Sequence, residues 1–487
     1  MRRASQSSRR RRLARQLRLF PRQFWLLVGG TFFYLLFIGL AFPYTAILIK
    51  GRLGVSMAVV GAIIGGTALA GLPLQPLVGG LSDRFGRRAV LIVCAACSGL
   101  MYGGLAFVHG LVPVCLVVFC DRALGWPLFL TASNAMVADL VRPRLRTEGY
   151  SLVRLMIGAG EVVGPLIAAV LLSLGSGLPF LFVLAGVGCF VFLGFTVLAL
   201  RETRPRVARR VRSIAVSEGA PVYGVRDVIR IPARRRSRRR RRAPSGGGGL
   251  GVLRDRRFCA FCAISLLPLF IFGQTFSTLP VLLTGYLHVK PATWGVLMSY
   301  MALVIVITQY PSVRAVRKLD PMFQVALASL LFGLGLGLSA FVPPAWPLLV
   351  TIGALAVAQA LFGPVTSAIV AHLAPVEIRG RYMGAWTFVW MAGQGALGPI
   401  FGGLLLARLG PHATYAMILV MGLAGAGLYP LLRTRPAAGR ARLAAPAAHD
   451  HGASSAAPVA HDHGASPAAP AAHDRGASPV RQAAYDP

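Results

Sequence analysis

From Phe24 to Ile49 the chain runs without a charged residue, and apolar blocks of similar length recur as far as residue 432. A helix needs about 20 apolar residues to cross the hydrocarbon of a bilayer, so each block is long enough to span one. The breaks between blocks predict twelve spans: 24–49, 56–78, 89–109, 112–137, 149–174, 179–200, 258–284, 292–313, 322–342, 346–372, 383–408 and 413–432. The predicted fold class is an all-α membrane protein. The first apolar run is too long for a secretory leader, and no small-residue cleavage site follows it, so it reads as a retained first helix.

Charge is scarce and unevenly placed. Charged residues are 14% of the chain against 55% hydrophobic, well short of the polar surface of a soluble domain. The net charge of +36 is concentrated in two stretches: residues 1–22 hold nine arginines and no acid, and residues 201–257 hold nineteen arginines and four acids. Both flank apolar blocks, where an excess of Lys and Arg marks the cytoplasmic side and attracts anionic lipid headgroups. Arg84, Arg87, Arg88, Arg142, Arg144, Arg146, Arg314, Arg317, Lys318, Arg379 and Arg381 fall on that same side. Both termini are therefore expected in the cytoplasm of a cell (inner) membrane protein. No nucleic-acid partner is expected, although polycations such as Arg234–Arg242 bind any polyanion. The seven cysteines lie in or beside apolar runs, and Cys259-x-x-Cys262 has no second ligand pair nearby, so no metal or disulfide framework is expected.

The two halves repeat. Ala138-Asp139-Leu140, Arg146, Gly160, Gly164-Pro165 and Leu174-Gly175 return as Ala371-His372-Leu373, Arg379, Gly393, Gly398-Pro399 and Leu409-Gly410, at an offset of 233–235 residues. Paired bundles facing each other are the usual build of secondary transporters. The predicted organisation is a basic tail (1–23), a six-helix bundle (24–200), an Arg-rich central loop (201–257), a second six-helix bundle (258–432) and a tail (433–487). The loop runs into Ser245-Gly246-Gly247-Gly248-Gly249, a flexible-linker composition. The tail repeats a twelve-residue Ala/Pro/His/Asp unit that cannot bury a core, which predicts disorder.

Gly79-Gly80-Leu81-Ser82-Asp83-Arg84-Phe85-Gly86-Arg87-Arg88, between the second and third spans, resembles the loop signature of the major facilitator superfamily. Gly160-x-x-x-Gly164-Pro165 in the fifth span resembles the motif of its drug/proton antiporter branch, with Ala168-Ala169 where two glycines are usual and Ser151 where a glycine is expected. The eleventh span carries the better ending, Gly398-Pro399-Ile400-Phe401-Gly402-Gly403. In the fourth span Arg122 is followed by Gly125, one residue closer than usual and without the glutamine. The resemblance implies a twelve-helix major facilitator fold. It also implies that Asp83 caps a helix of the opposite half and that Arg87 meets Asp139, as a latch on the cytoplasmic side. Without the family, glycines let helices approach closely and a proline bends them, so helix packing alone also accounts for Gly160–Pro165.

Asp121 and Glu161 are acids deep in apolar spans, where a charge costs a few kcal/mol and needs a partner or a wet cavity. Arg122 adjoins the first, and Arg154 lies seven residues before the second, on nearly the same helical face. Glu161 or Asp121 is expected to carry a coupling proton, with Arg122 tuning it; a structural ion pair is the plainer reading. Gln394 stands at the repeat position of Glu161. Tyr34, Trp126, Asn134, Gln274, Gln359, Trp390 and Gln394 offer aromatic faces and amides for a mid-membrane substrate cavity.

The expected function is secondary active transport by alternating access, with proton-coupled export of hydrophobic or cationic small molecules. A proton-coupled importer of a metabolite and a non-transporting scaffold or sensor are the alternatives. No nucleophile–base pair, phosphate loop or metal set suggests an enzyme. The expected coupling ion is H+, no cofactor is expected, and a monomer is the expected state.

Overall fold

The computed structural model describes residues 20–74, 80–82, 84–142, 145–203, 252, 254–343, 346–375 and 378–433. Nearly all of the basic N-terminal tail, the central loop and the repeat tail of the predicted organisation lie outside the described residues, as do Gly79 and Asp83. Among the described residues the secondary structure is helical throughout, with no strand.

Ten apolar helices follow one another singly: α1 (Arg22–Leu53), α2 (Met57–Leu74), α3 (Arg87–Phe107), α4 (Leu111–Leu140), α5 (Arg146–Ser173), α6 (Leu178–Leu198), α7 (Arg256–Tyr286), α8 (Pro291–Val316), α9 (Pro321–Ala340) and α10 (Trp346–Leu373). The last apolar stretch, Arg379–Leu432, has 54 residues. At 1.5 Å per residue it would be about 80 Å long, more than twice the hydrocarbon thickness. It is two helices folded at Gly410, whose φ of 75° lies in the left-handed region that glycine enters without steric cost. The segments on either side are α11 (379–409) and α12 (411–432), which completes the twelve spans.

The helix ends lie within about five residues of the predicted ones, because arginines at the borders continue the last helical turn. Where a helix is irregular, a proline or a glycine-rich turn is near. A short 3-10 turn at Phe42–Tyr44 contains Pro43, and π-helical turns occur at Asp121–Gly125 before Pro127 and at Met391–Leu397 before Pro399. Proline removes the N–H that a regular ladder requires, and a π turn absorbs the mismatch.

The repeat seen in the sequence is a repeat of packing. In the first half α5 lies on α1, and a Cβ on Gly164 would come within 2.8 Å of the Gly39 Cα. In the second half α11 lies on α7, and a Cβ on Gly398 would come within 3.0 Å of the Gly273 Cα. Gly160 rests on Leu35 and Leu36 as Gly393 rests on Leu269. Small residues at these crossings let backbones touch, which is how helices associate where lipid removes the hydrophobic drive.

A gated gap between the two halves

We call the end of the bundle that bears Arg22, Arg87, Arg146, Arg256 and Arg379 the basic face, and the other end the distal face. The halves meet through α5 against α8 and α2 against α11. Gly295 of α8 sits on α5, where a Cβ would lie 2.7 Å from the Pro165 carbonyl oxygen and 3.1 Å from Ala169. Gly61 of α2 sits on the matching part of α11, against Pro399 and Gly403. Phe42 and Phe276, which the repeat offset relates to each other, meet across the halves with ring centroids 5.0 Å apart. The Trp294 indole N–H donates to the Pro43 carbonyl at 2.9 Å, and the Lys50 ammonium lies 5.7 Å from the centre of the Tyr286 ring. On α1, α5, α7 and α11 these contacts lie about 20 residues, or about 30 Å, from the basic-face ends. The halves are thus closed toward the distal face by paired, symmetric contacts.

Toward the basic face α5 still packs on α8 where Gly158 meets Val306. Beyond that contact a cavity of about 510 Å³ opens between α4, α5 and α8, with Arg154, Asn134 and Gln309 in its wall. On α5, Gly160 and Gly164 face α1, while Gly158, Pro165 and Ala169 face α8. Leu155, Leu166 and Val170, each about half exposed, occupy the lipid side. At about 100° per residue Glu161 falls between the two packed faces, so it points into the gap with Arg154 two turns earlier. Both side chains are exposed. The carboxyl group of Glu161 therefore reaches the gap about 22 Å above the first residue of α5.

Gln394 occupies the matching place on α11. Its Oε1 accepts a 2.8 Å hydrogen bond from the Trp390 indole, and Trp390 itself packs on Phe272, Phe362 and Trp386. Trp126 is half-buried beside Phe129, and Gln359 is half-buried with Oε1 lacking a partner. Trp126, Gln359, Gln394 and Glu161 all stand about 14 or 15 residues from the basic-face ends of their helices, a common level of about 21 Å. Asn134 is lower, in the wall of the basic-face cavity.

Two residues expected in the cavity lie elsewhere. Tyr34 is completely buried, with its hydroxyl 2.8 Å from Ser98 and 3.2 Å from the Cys94 sulfur, and its ring lies between Phe129 and Phe192. Gln274 is also completely buried. Its Nε2 donates to the carbonyls of Gly398 at 2.7 Å and Phe270 at 3.2 Å, and its Oε1 accepts from Thr278 at 3.0 Å. The amide clamps α7 to the irregular part of α11, which leaves it nothing to offer a ligand.

Asp121 and Arg122 are neighbours in sequence and point apart. Asp121 is buried in the first half and accepts a 2.5 Å hydrogen bond from Ser98, extending the contact to Tyr34. Arg122 lies with its guanidinium 5.6 Å from the centre of the Phe42 ring, at the inner side of the closed gate, and its Nε has no hydrogen-bond partner. The adjacent-residue pairing expected from sequence is therefore absent among the described ion pairs. Ser98 was not legible as a partner, since a lone serine in a membrane helix carries no signal.

At the basic face, Arg87 Nε donates to Asp139 at 3.1 Å, the pairing implied by the loop signature, and both residues belong to the first half. Glu202, just past α6, caps α3: the backbone N–H groups of Arg87 and Arg88 donate to its two oxygens at 3.0 and 3.1 Å. A carboxylate at a helix N-terminus satisfies orphan donors and meets the positive end of the helix dipole. Gly86 is required twice over, by its φ of 100° and by Glu202 lying where a Cβ would go. Arg88 donates to the carbonyls of Thr196 and Val197 at the end of α6, and Arg84 lies 5.6 Å from the Phe85 ring centre.

A membrane-spanning helical bundle in two repeats, closed at one face and open at the other, is the architecture of a carrier. A profile of the Major Facilitator Superfamily matches residues 27–357 and, overlapping, 275–469, and the chain belongs to that family. It is a transporter and not an enzyme. The chain is 27% identical over 416 residues to multidrug resistance protein MdtH of Cronobacter sakazakii, covering 82% of this chain and 91% of that protein. It is 21% identical over 396 residues to a Na(+), Li(+), K(+)/H(+) antiporter of Planococcus maritimus, covering 75% and 85%. In fold it is similar to the nucleoside transporter NupG, with a TM-score of 0.62 and 13% identity over 85% of this chain and 97% of that one.

Proposed function

We propose that the protein exports hydrophobic or cationic small molecules across the cell membrane in exchange for protons, with Glu161 as the group that carries the proton. The observation that carries this reading is the position of Glu161: an acid in mid-span, turned into the gap below a closed gate, with Arg154 two turns away on the same helical face. A carboxylate there binds a proton or an organic cation but not both, and that competition is what couples opposite fluxes. Asp121 is a weaker carrier because Ser98 and the packed first half enclose it. The likeness to a multidrug resistance protein and to a cation/proton antiporter supports the same reading. The basic face is taken as cytoplasmic on the distribution of arginines, which puts the open side toward the compartment that an exporter loads from.

Trp126, Trp390, Gln359 and Gln394 then form the substrate wall at the level of Glu161. Aromatic faces with few polar groups suit flat, amphipathic molecules. The test uses inverted membrane vesicles with an acid interior and a fluorescent lipophilic cation outside. Export by antiport predicts accumulation in the vesicles, collapse on addition of a protonophore, and loss in Glu161→Gln. Efflux from preloaded vesicles under the same gradient would instead identify a proton-coupled importer.

A further inference from the structure

The cavity at the basic face has a property that the export reading does not use. It is lined by Leu130 and Asn134 of α4, by Tyr150, Ser151, Val153, Arg154, Leu155 and Ile157 of α5, and by Val306 and Gln309 of α8. Arg154 is the sole charged residue in this lining. Among the described residues no acid lies within ion-pair distance of it, and Glu161 is about 10 Å further along the helix. Asn134 and Gln309 line the same cavity, so their amides add hydrogen-bond donors to a wall that holds one positive charge.

Its depth is as telling as its charge. Arg154 lies about 12 Å from the start of α5, Gln309 about 10 Å from the end of α8, and Asn134 about 9 Å from the end of α4. These helices outreach the roughly 30 Å of hydrocarbon by about 5–7 Å at each end, so that level lies within about 6 Å of the boundary between headgroups and acyl chains. The cavity also reaches the membrane side. Leu155 at 49% exposure and Val306 at 41% are in its wall, and Ile307 at 61% and Tyr310 at 72% continue the apolar surface along α8. A ligand that fits has an anionic head for Arg154 and a chain for the α5–α8 seam.

We propose that this seam is a binding site for an anionic phospholipid of the adjoining leaflet, with the phosphodiester held by Arg154, Asn134 and Gln309. Arginine suits the role because its planar fork binds two phosphate oxygens at once, and a basic pocket between membrane helices is where such headgroups are held. The site takes its wall from both halves on the basic-face side. A lipid seated there occupies the space between α5 and α8 on the basic-face side of the Gly158–Val306 contact, and so favours the conformation open to the basic face.

The experiment is lipid retention, which reads out binding whether or not the protein couples to protons. Full-length protein is reconstituted in nanodiscs of equal parts phosphatidylcholine and phosphatidylglycerol, extracted in mild detergent, and its retained lipids are counted by native mass spectrometry. The wild type and Arg154→Lys are expected to retain phosphatidylglycerol in preference to phosphatidylcholine, and Arg154→Gln to lose at least threefold of it. Gln309→Leu should show a smaller loss. Arg317→Gln, at an exposed arginine of the same face, controls for general attraction to anionic lipid and should match the wild type. Equal retention by Arg154→Gln and the wild type, or an equal loss in Arg317→Gln, overturns the site. Hexyl phosphate is the soluble arm: if it raises the melting temperature through Arg154 while phosphatidylglycerol is not retained, the ligand is a free amphipathic anion and the lipid assignment is overturned.

Discussion

The two halves share a scaffold and differ in what they place inside it. Gly39, Gly164 and Pro165 have Gly273, Gly398 and Pro399 as counterparts, and Gly61 of α2 docks on α11 as Gly295 of α8 docks on α5. The cores are not alike. In the first half Tyr34, Ser98 and Asp121 form a buried polar chain. An offset of 234 residues from Ser98 and Asp121 falls on Phe332 and Leu355, both buried hydrophobic residues. The second half has other buried polar contacts, among them Tyr429 on Ser265 and, on α7, Gln274, which holds the irregular turn of α11. Even the basic-face ties are built with different chemistry. Glu202, after α6, caps α3, whereas Asp320 caps α9 through the Met322 N–H and pairs with Arg433 after α12 at 3.4 Å. Packing is repeated; the acids Asp121 and Glu161 are not, their repeat positions being Leu355 and Gln394.

The strongest test of that division alters the two repeat positions one at a time. Glu161→Gln is expected to lower gradient-driven transport at least tenfold, while Gln394→Ala stays within about threefold, measured as initial rates in vesicles. Equal losses would mean that the acid has no special standing. The shared gate should respond in the opposite, symmetric way. Gly61→Leu and Gly295→Leu are each expected to cut transport about fivefold or more, since neither backbone crossing has room for the side chain. In a Phe42→Cys background each should also raise thiol labelling from the distal side. A silent Gly61→Leu beside a defective Gly295→Leu would break the two-fold gate.

Smaller effects sharpen the comparison further. Ser98→Ala removes the donor to Asp121 and should cost about 1–2 kcal/mol of stability, seen as a lower melting temperature, with the proton dependence of transport retained. A shift in that dependence would return Asp121 to the coupling path. The smallest effect is expected at the basic-face ties. Double-mutant cycles should give about 1 kcal/mol or less for Asp320–Arg433, whose side chains are 36% and 47% exposed, and more for Arg87–Asp139, at 12% and 17%.

The helices and their repeat were legible in the sequence because apolar length and glycine–proline spacing report directly on membrane span and backbone crossing. Arg87–Asp139 was legible through its resemblance to a known loop. The misplacement of Tyr34 and Gln274 has a specific cause. Both are amphipathic and mid-span, and sequence does not say how a helix is rotated against its neighbours. That rotation turns Tyr34 into the first-half core and Gln274 toward α11. The pair Phe42–Phe276 was in principle readable from the same offset as the glycines, but an aromatic in an apolar block draws no notice until its partner is seen. Asp121 and Arg122 diverge because neighbours in a helix point about 100° apart, so adjacency in sequence does not put two side chains on one face.

Gly410 joins α11 to α12 through a single residue of left-handed backbone. Such a joint is an elbow and not a leash: it can fold, but it supplies no slack. Because α12 is locked to α9 where Gly422 meets Gly333, the distal end of α11 is moored to the outer wall of its half. Movement of α11 during opening of the gate must therefore be taken up within its own length. The irregular stretch within that length is the π segment Met391–Leu397, which carries Gln394. The repeat counterpart of Glu161 thus sits where the helical ladder of α11 is broken.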